Sequence, residues 1–473
     1  MNGAHEEYQG MMVNRTYDEI QVGESASLMR TLTQADIEAF AAVSGDNNPA
    51  HLDPVYAQGT RFKTVIAHGM WGGALISAVL GTRFPGPGTI YLGQSLTFSK
   101  PVRIGDTVTV QVTAKEKKEK NRQVVMDCQV FNQKGEVVLS GEATVMAPAE
   151  KIEIKATAAP TITLSDPAAR LNELLKKGAH LPAVRTAVVH PCDRESIQGA
   201  LEAADKGLIV PVLVGPIARM QAAAEQAGLS LNGIELVDTE HSHASADQSV
   251  QLAAAGKVQA LMKGSLHTDE LMHAILSQPA LRTGRRLSHV FRFDIPMYPK
   301  PLLITDAAIN IHPDLMTKVD IVQNAIDFAQ VLGVFQPKVA ILSAVETVNP
   351  AIPSTLEAAA LCKMADRGQI SHALLDGPLA FDNAISPHAV EVKHIKSAVA
   401  GDADILLVPD LESGNMLSKQ LEYLAGASGS GVVLGARVPI ALTSRSDGPE
   451  VRMASALLVK LLAAAQLLYP SRR

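Results

Sequence analysis

Between residues 90 and 146, apolar and polar positions alternate with period two. The runs Leu96-Thr97-Phe98, Thr107 to Thr113, Gln123 to Phe131 and Val137 to Val145 are separated by the turn signals Gly105-Asp106, Lys120-Asn121 and Lys134-Gly135. This predicts an antiparallel meander with one buried face. Upstream, Thr33 offers an N-cap hydroxyl and Asp36 holds the capping-box position. Ile37, Phe40 and Ala41 then mark one apolar face, and Gly45 supplies the stop. A second stretch, rich in small residues from Gly72 to Ala78, predicts a buried helix. Periodicity lapses over 148–166, where Pro148 and Pro160 fall, and a short strand is expected near Ile152 to Ile154. Beyond it the texture changes. Short apolar runs alternate with Ala-rich helical stretches: Thr186 to Val189, Leu208 to Val214, Leu302 to Ile304, Val339 to Leu342, Ile405 to Val408 and Val438 to Leu442. Such alternation predicts parallel strands with crossover helices. The division expected is a first domain over 1–150, a linker over 151–167 and an α/β region over 168–473.

Composition narrows the class. A chain of 473 residues, 47% hydrophobic, holds two to four domains with ample core. Its net charge of −6 gives no basic face for nucleic acid. Cys128, Cys192 and Cys362 are too far apart for a disulfide framework or a zinc site, so a reduced, cytoplasmic setting is expected. Met1 to Gly10 carries Glu6 and Glu7 and no apolar run, unlike a signal peptide. Ser455 to Tyr469 is apolar but interrupted by Lys460 and too short to span a bilayer, so it is read as a buried C-terminal helix.

The loop leaving the first helix reads Ser44-Gly45-Asp46-Asn47-Asn48-Pro49-Ala50-His51. Asn48 precedes proline and is biased to extended backbone. A carboxylate and an imidazole five residues apart, across a proline-stiffened turn, can converge on one water, take its proton and return one to a carbon. The same residue types also build ordinary turns, and spacing alone leaves both readings open. Asp53, directly before Pro54, is read as an N-cap. Ala67-His68-Gly69-Met70 opens the small-residue helix. The Gly69 N–H can hydrogen-bond a developing oxyanion, or Gly69 can serve close packing. Trp71 and Phe84 are read as core residues rather than as the lining of an acyl pocket, and the charge run Lys115 to Arg122 as a solvated hairpin tip rather than a contact to coenzyme A phosphates.

Residues 30–147 resemble the MaoC-type (R)-specific enoyl-CoA hydratases. The blocks that carry the likeness are Phe40 to His51, His68-Gly69-Met70 and Ile90 to Phe98. The resemblance implies an α+β hot-dog domain, usually dimeric, and syn addition of water to a trans-2-enoyl-CoA to give an (R)-3-hydroxyacyl-CoA. It implies Asp46 and His51 as the catalytic pair and Gly69 as the residue whose N–H polarises the thioester carbonyl. Ser77 would be a supporting hydroxyl near the aspartate.

The second half has no Gly-x-x-x-x-Gly-Lys-Ser/Thr loop and no dinucleotide glycine fingerprint. Gly426, Gly429, Gly431 and Gly435 lead into Val438 to Leu442, followed by Thr443-Ser444-Arg445-Ser446-Asp447. Hydroxyls and an arginine at a parallel strand's carboxyl end stand where open α/β sheets bind ligands, and guanidinium suits a phosphate. A loop of cap residues for the last helix is the other reading. Polar blocks follow other strands: Thr305 to Asn310, Asp376 to Ala384, and Pro409 to Asn415 with Lys419 beyond. Several such blocks predict one crevice.

These blocks resemble the phosphate acetyl/butyryltransferase family over about residues 168–471. The resemblance implies a two-domain α/β phosphate acyltransferase fold: a first subdomain over about 168–292 plus 432–473, and an inserted second one over about 293–431. Ser444 and Arg445 match the family's serine–arginine pair, the arginine binding phosphate or the tetrahedral oxyanion. Lys263, Ser265 and Thr268 fit its first-domain loop, and Asp306, Asn310, Asp376, Asp382, Asn415 and Lys419 lie in the matching strand-end blocks. Acetyl-specific members carry an aspartate seven residues after the serine. Here that position is Val451, with Asp447 and Glu450 nearby, which favours the butyryl-like branch. No metal or tightly bound cofactor is implied, and coenzyme A thioesters and phosphate are the substrates.

Both implied reactions handle coenzyme A thioesters, so the expectation is a bifunctional enzyme, homo-oligomeric through both halves. Its acyl phosphate product would suit an acyl-phosphate kinase. Competing readings are an active hydratase carrying a degenerate acyltransferase scaffold, an isocitrate-dehydrogenase-like oxidoreductase, and a non-catalytic coenzyme A sensor.

Overall fold

The computed structural model describes residues 10–156, 167–443 and 448–468. Its first unit, Met1–Leu164, holds in chain order β1 (Met11–Val13), β2 (Ser25–Thr31), α1 (Gln34–Ser44), α2 (Pro49–Leu52), α3 (Pro54–Gly59), α4 (Gly69–Thr82), β3 (Ile90–Gln94), β4 (Thr97–Phe98), β5 (Thr107–Lys118), β6 (Gln123–Asn132), β7 (Val137–Met146) and β8 (Glu153–Lys155). The main sheet runs β2-β5-β6-β7-β3, with β4 also on β7, and every pairing is antiparallel. Val108, Val110 and Val112 of β5 and Val124, Met126, Cys128 and Val130 of β6 turn inward. They meet Trp71, Leu75, Ile76, Val79 and Leu80 on one face of α4. Each fully buried aliphatic side chain there stabilises the unit by roughly 1.5–3 kcal/mol. A long helix against a curled antiparallel sheet is the hot-dog fold.

The caps fall where the sequence puts them. Thr33 Oγ1 accepts the Asp36 N–H (3.1 Å) and Asp36 Oδ2 accepts the Thr33 N–H (2.9 Å). Gly45 ends α1 with φ +74°, in the left-handed region that glycine enters without strain. Asp53 caps α3, accepting from Val55 and Tyr56. The hairpin tip is shorter than expected: β5 continues through Lys118 and β6 begins at Gln123, so Lys115 to Lys118 are strand residues. The stretch expected to be a linker is partly bound to the first unit. Its β8 pairs with β1, and Asn14 brackets it, donating to Glu150 O and accepting from Ile152 N, each at 2.9 Å.

The second unit, Ser165–Arg473, holds α5 (Pro167–Gly178), β9 (Val184–Val189), α6 (Arg194–Asp205), β10 (Ile209–Gly215), α7 (Ile217–Gln226), β11 (Glu235–Asp238), α8 (Ser242–Ala254), β12 (Ala260–Lys263), α9 (Thr268–Ser277), β13 (Ser288–Asp294) and β14 (Leu302–Thr305). There follow α10 (Leu315–Val331), β15 (Lys338–Leu342), α11 (Pro353–Asp366), β16 (Leu374–Leu379), α12 (Phe381–Ile385), α13 (Pro387–Val392), β17 (Ile405–Leu407), α14 (Leu411–Leu424), β18 (Ser428–Leu434), β19 (Ile440–Ala441) and α15 (Pro449–Leu468). One eleven-stranded sheet has the order β11-β10-β9-β12-β19-β18-β13-β14-β17-β15-β16. It is not uniformly parallel. β9 to β12 and β19 share one direction, and β14 to β17 share another. Three antiparallel pairings, β19–β18, β18–β13 and β13–β14, separate the sets, so the two sets run oppositely. The glycine-rich stretch is a packed strand rather than a phosphate loop: Gly429 and Gly431 lie inside β18, against Phe293 and His289. The C-terminal helix α15 is buried as expected, with Ala456, Leu457, Leu458 and Val459 in the core. No helix among the described residues is long and apolar enough to cross a membrane.

Candidate functional sites

In the first unit, the short helix α2 turns the chain back after Asn48, whose side chain accepts the Ala50 N–H (3.0 Å). That places His51 opposite the loop it came from. Asp46, His51 and His68 each offer a ligand atom within 4.8 Å of the others, the one such group among the described residues able to hold a metal ion. His51 Nδ1 lies 2.9 Å from the Ile66 carbonyl. A carbonyl only accepts, so Nδ1 carries the hydrogen and Nε2 keeps its lone pair. Likewise His68 Nε2–H donates to the Asp46 carbonyl (2.9 Å). The two imidazoles stack with centroids 4.0 Å apart.

Beside them a cavity of about 210 Å³ is lined by His51, His68, Gly69, Trp71, Gly72 and Phe98, among others. Gly69 is the first residue of α4, so its N–H has no partner one turn back and points from the positive end of the helix. His51 and the α4 N-terminus therefore line one small, mostly apolar space, and the Asp46 carboxylate clusters with the two histidines that line it. Ser77 does not line this cavity. It lies eight residues along α4 from Gly69, about 12 Å by helix rise, and is exposed while its neighbours Leu75, Ile76 and Val79 face the sheet. Trp71 is both core residue and cavity wall.

In the second unit, Ser444, Arg445 and Asp447 lie outside the described residues. The strand before them, β19, ends at Ala441, and two residues on Thr443 Oγ1 accepts from the buried Arg452 (3.0 Å), a residue the sequence reading did not single out. Val451 is half-buried and Glu450 exposed, both in the first turn of α15. Lys263, buried, ends β12 in the neighbouring position. Ser265 ties two loops together, donating to His190 O (2.7 Å) and accepting the Cys192 N–H (3.1 Å), and Thr268 starts α9. His190, also missed, directly follows β9 and bonds Ser245 through Nδ1; burial, then Arg219, lowers its pKa. Glu270 lies close by. Burial acts to raise its pKa, but the bond from Ser242 and the histidines His243 and His267 prevail and lower it.

The strands that carry the other blocks run opposite to β12 and β19, although Ala308 and Ile309, just beyond β14, pack on the cluster that holds Leu266 and Leu442. Asp306 follows β14 almost fully buried. It accepts from the N–H groups of Ala308, Ile309 and Asn310 and from Asn310 Nδ2 (2.6 Å), so it organises its own loop; burial raises its pKa despite these bonds. Asn310 also donates to Leu287 O, and Asn415 to Ala307 O (3.3 Å). Asp376 accepts the Gly377 N–H within β16. Asp382 pairs with Lys393 (3.1 Å) and Lys419 with Glu422 (3.0 Å).

The model of the phosphate acetyl/butaryl transferase family matches residues 243–459. A phosphate acetyltransferase from Rhizobium meliloti is 58% identical over 287 residues, 60% of this chain and 90% of that protein. The chain belongs to this family. A phosphate butyryltransferase from Clostridium acetobutylicum is 37% identical, over 62% of this chain and 97% of that protein. Among solved structures, a branched-chain phosphotransacylase from Enterococcus faecalis V583 aligns with 32% identity and a TM-score of 0.53, covering 59% of this chain and 99% of that one. Residues 19–133 match the model of the MaoC like domain, so the phosphate acetyl/butyryltransferase region follows a MaoC-like domain in one polypeptide.

Proposed function

We propose that the chain is a bifunctional acyl-CoA enzyme. The first unit hydrates trans-2-enoyl-CoA to (R)-3-hydroxyacyl-CoA. The observation that carries this reading is a small, mostly apolar cavity lined by His51 and the α4 N-terminus, with the Asp46 carboxylate clustered beside His51 and His68, which line it. The thioester carbonyl would rest on the Gly69 N–H, which steadies the negative charge as the water oxygen bonds C3. Asp46 and His51 take the water's proton and deliver one to C2 on the same face, so that one water is added and no other reactant is consumed. The cavity suits a short acyl chain.

The second unit exchanges an acyl group between coenzyme A and phosphate, with Ser444 and Arg445 as the pair acting on phosphate and the tetrahedral oxyanion. Family membership supports this reading. The greater identity to an acetyltransferase weighs towards acetyl-CoA, against the butyryl preference that Val451 suggested. No metal or tightly bound cofactor is required. Because the product of hydration is itself a thioester, the second site can convert it to a 3-hydroxyacyl phosphate, which a kinase can use.

Phosphate-dependent release of coenzyme A from acetyl-CoA and butyryl-CoA, with wild type and Ser444→Ala, tests the second activity. Hydration of crotonyl-CoA tests the first. Release on the order of 1–10³ per second that collapses in the variant is expected. Hydration without any release would instead favour the degenerate scaffold, the reading that Val451 keeps open.

A further inference from the structure

The His68 side chain contacts both Asp46 and His51, and its backbone leads into Gly69. Its Nε2–H holds the backbone carbonyl of Asp46 at 2.9 Å. Its ring lies against His51, centroids 4.0 Å apart and planes 32° from parallel. Its own backbone precedes Gly69, at the N-cap of α4. It is only 3% exposed, and its Nδ1 is buried without a hydrogen-bond partner. With the hydrogen on Nε2, that Nδ1 is a bare lone pair. A fold that needed only filler here would place an apolar ring at no such cost.

The anchor matters because the other bonds of the Asp46 loop are local, within four residues, and none ties it to α4. Asp46 is exposed. Its N–H reaches Ser44 Oγ at 3.2 Å, and its Oδ1 accepts from Asn48 N at 3.3 Å, both at the long end of hydrogen bonding. The bond from His68 is the shorter one, and it starts from the rigid helix that also presents Gly69. His51 is held in its own plane by the Ile66 carbonyl, while the His68 ring limits its tilt.

We infer that His68 is a positioning residue: it locks carboxylate, imidazole and helix N–H into one geometry by donating to Asp46 and stacking on His51. This rests on the hydratase reading above. A donor without a ring, or a ring without a donor, supplies only half of the function.

The test uses the full chain with His68→Gln, which keeps an amide N–H in reach of Asp46 O, and His68→Phe, which keeps the ring alone. Crotonyl-CoA hydration is measured as kcat and KM against pH. Trp71, the only tryptophan, is buried in α4 beside the cavity, so its emission reports whether the unit is folded. His68→Phe is expected to lose roughly ten- to a hundredfold in kcat with KM little changed, as a misplaced catalytic pair does, and to displace the pH profile of kcat. His68→Gln is expected to recover part of the loss. Folded variants that keep wild-type kcat and pH profile overturn the role of His68 while leaving the hydratase standing. A Gln variant no better than Phe, with an unmoved pH profile in both, reduces His68 to packing and also overturns it. A wild type that hydrates no enoyl-CoA removes the hydratase reading itself, and the positioning role with it.

Discussion

Replacing Gly69 with proline separates its two possible roles, because position 69 is the first residue of α4. Proline is favoured there: its fixed φ suits a helix start, and the N–H it lacks has no intrahelical partner. His68 before it has φ −57° and ψ 135°, the extended conformation that a residue preceding proline adopts anyway. Gly69→Pro should therefore keep the helix and delete one N–H. The steric cost is shared by Gly69→Ala. A Cβ at this position would sit 3.0 Å from Phe98 Cε1 and 3.1 Å from Cδ1, and Phe98 is 53% exposed, so its ring can give way. Losing one oxyanion donor costs about 10²–10³ in kcat, or about 2.7–4 kcal/mol. We expect that loss in Gly69→Pro, and less than about tenfold in Gly69→Ala, which retains the donor. Crotonyl-CoA hydration under saturating substrate measures both. Equal losses in the two variants would refute the oxyanion role and leave close packing against Phe98 as the reason for glycine.

Three further outcomes follow from the packing and charges. His289, fully buried in β13, has its pKa pushed down by burial to about 3, from 6.5. The unfolded chain takes up the proton first as pH falls, so the stability this neutral histidine contributes is complete above about 6.5 and drains by about 1.4 kcal/mol per pH unit towards 3. Denaturant melts of the second unit between these limits should show that slope, and His289→Phe should flatten it; an unchanged slope removes His289 as its source. Ile76→Ala, at a site with no exposure, should cost roughly 2–5 kcal/mol, read by Trp71 emission, and a loss under about 1 kcal/mol would contradict its place in the core. Both imidazoles of the first site donate their other N–H to a backbone carbonyl, as metal-bound histidines do, so added Zn²⁺ should inhibit hydration reversibly by chelator. Full hydration activity in excess Zn²⁺ would show that the three groups do not converge on a cation.

What the sequence revealed of the first unit was local in origin. The Thr33–Asp36 box, the Gly45 stop and the Asp53 cap all act within four residues, and the meander's alternation needs only one buried face. The pairing of β1 with β8 escaped notice because it joins segments as far apart as Asn14 and Ile152, 138 positions, which bond through their backbones as well as through the Asn14 amide. The role of His68 was hidden for a related reason. Its residue type and place were plain, but its contacts to Asp46 and His51 depend on how the loop folds back over α4. Ser77 is exposed on α4, and a motif position carried over by resemblance does not say which way the helix face turns.

The second unit was harder to read because its sheet changes polarity. β13 carries Ser288, His289 and Arg292 among its buried positions, with Asn324 bonding Ser288 (2.8 Å) and Asp294 pairing with Arg292, so its apolar signal is interrupted exactly where the reversal begins. The registers place Thr305, Val290, Val432, Ala441 and Met262 in one row across five strands. From Thr305 to Ala441 is three interstrand steps, about 14 Å. From that row the chain beyond Thr305 runs one way, to Asp306, and the chain beyond Ala441 and Met262 runs the other, to Thr443 and Lys263. The rule that polar residues at strand ends mark one crevice presumes strands of a single direction. Across an antiparallel seam it splits into two, and only the set beside Thr443 leads directly into the segment that carries Ser444 and Arg445. Lys263 lies on that side, while the loop that Asp306, Asn310 and Asn415 bind together comes back, through Ala308 and Ile309, onto the cluster that holds Leu266 and Leu442.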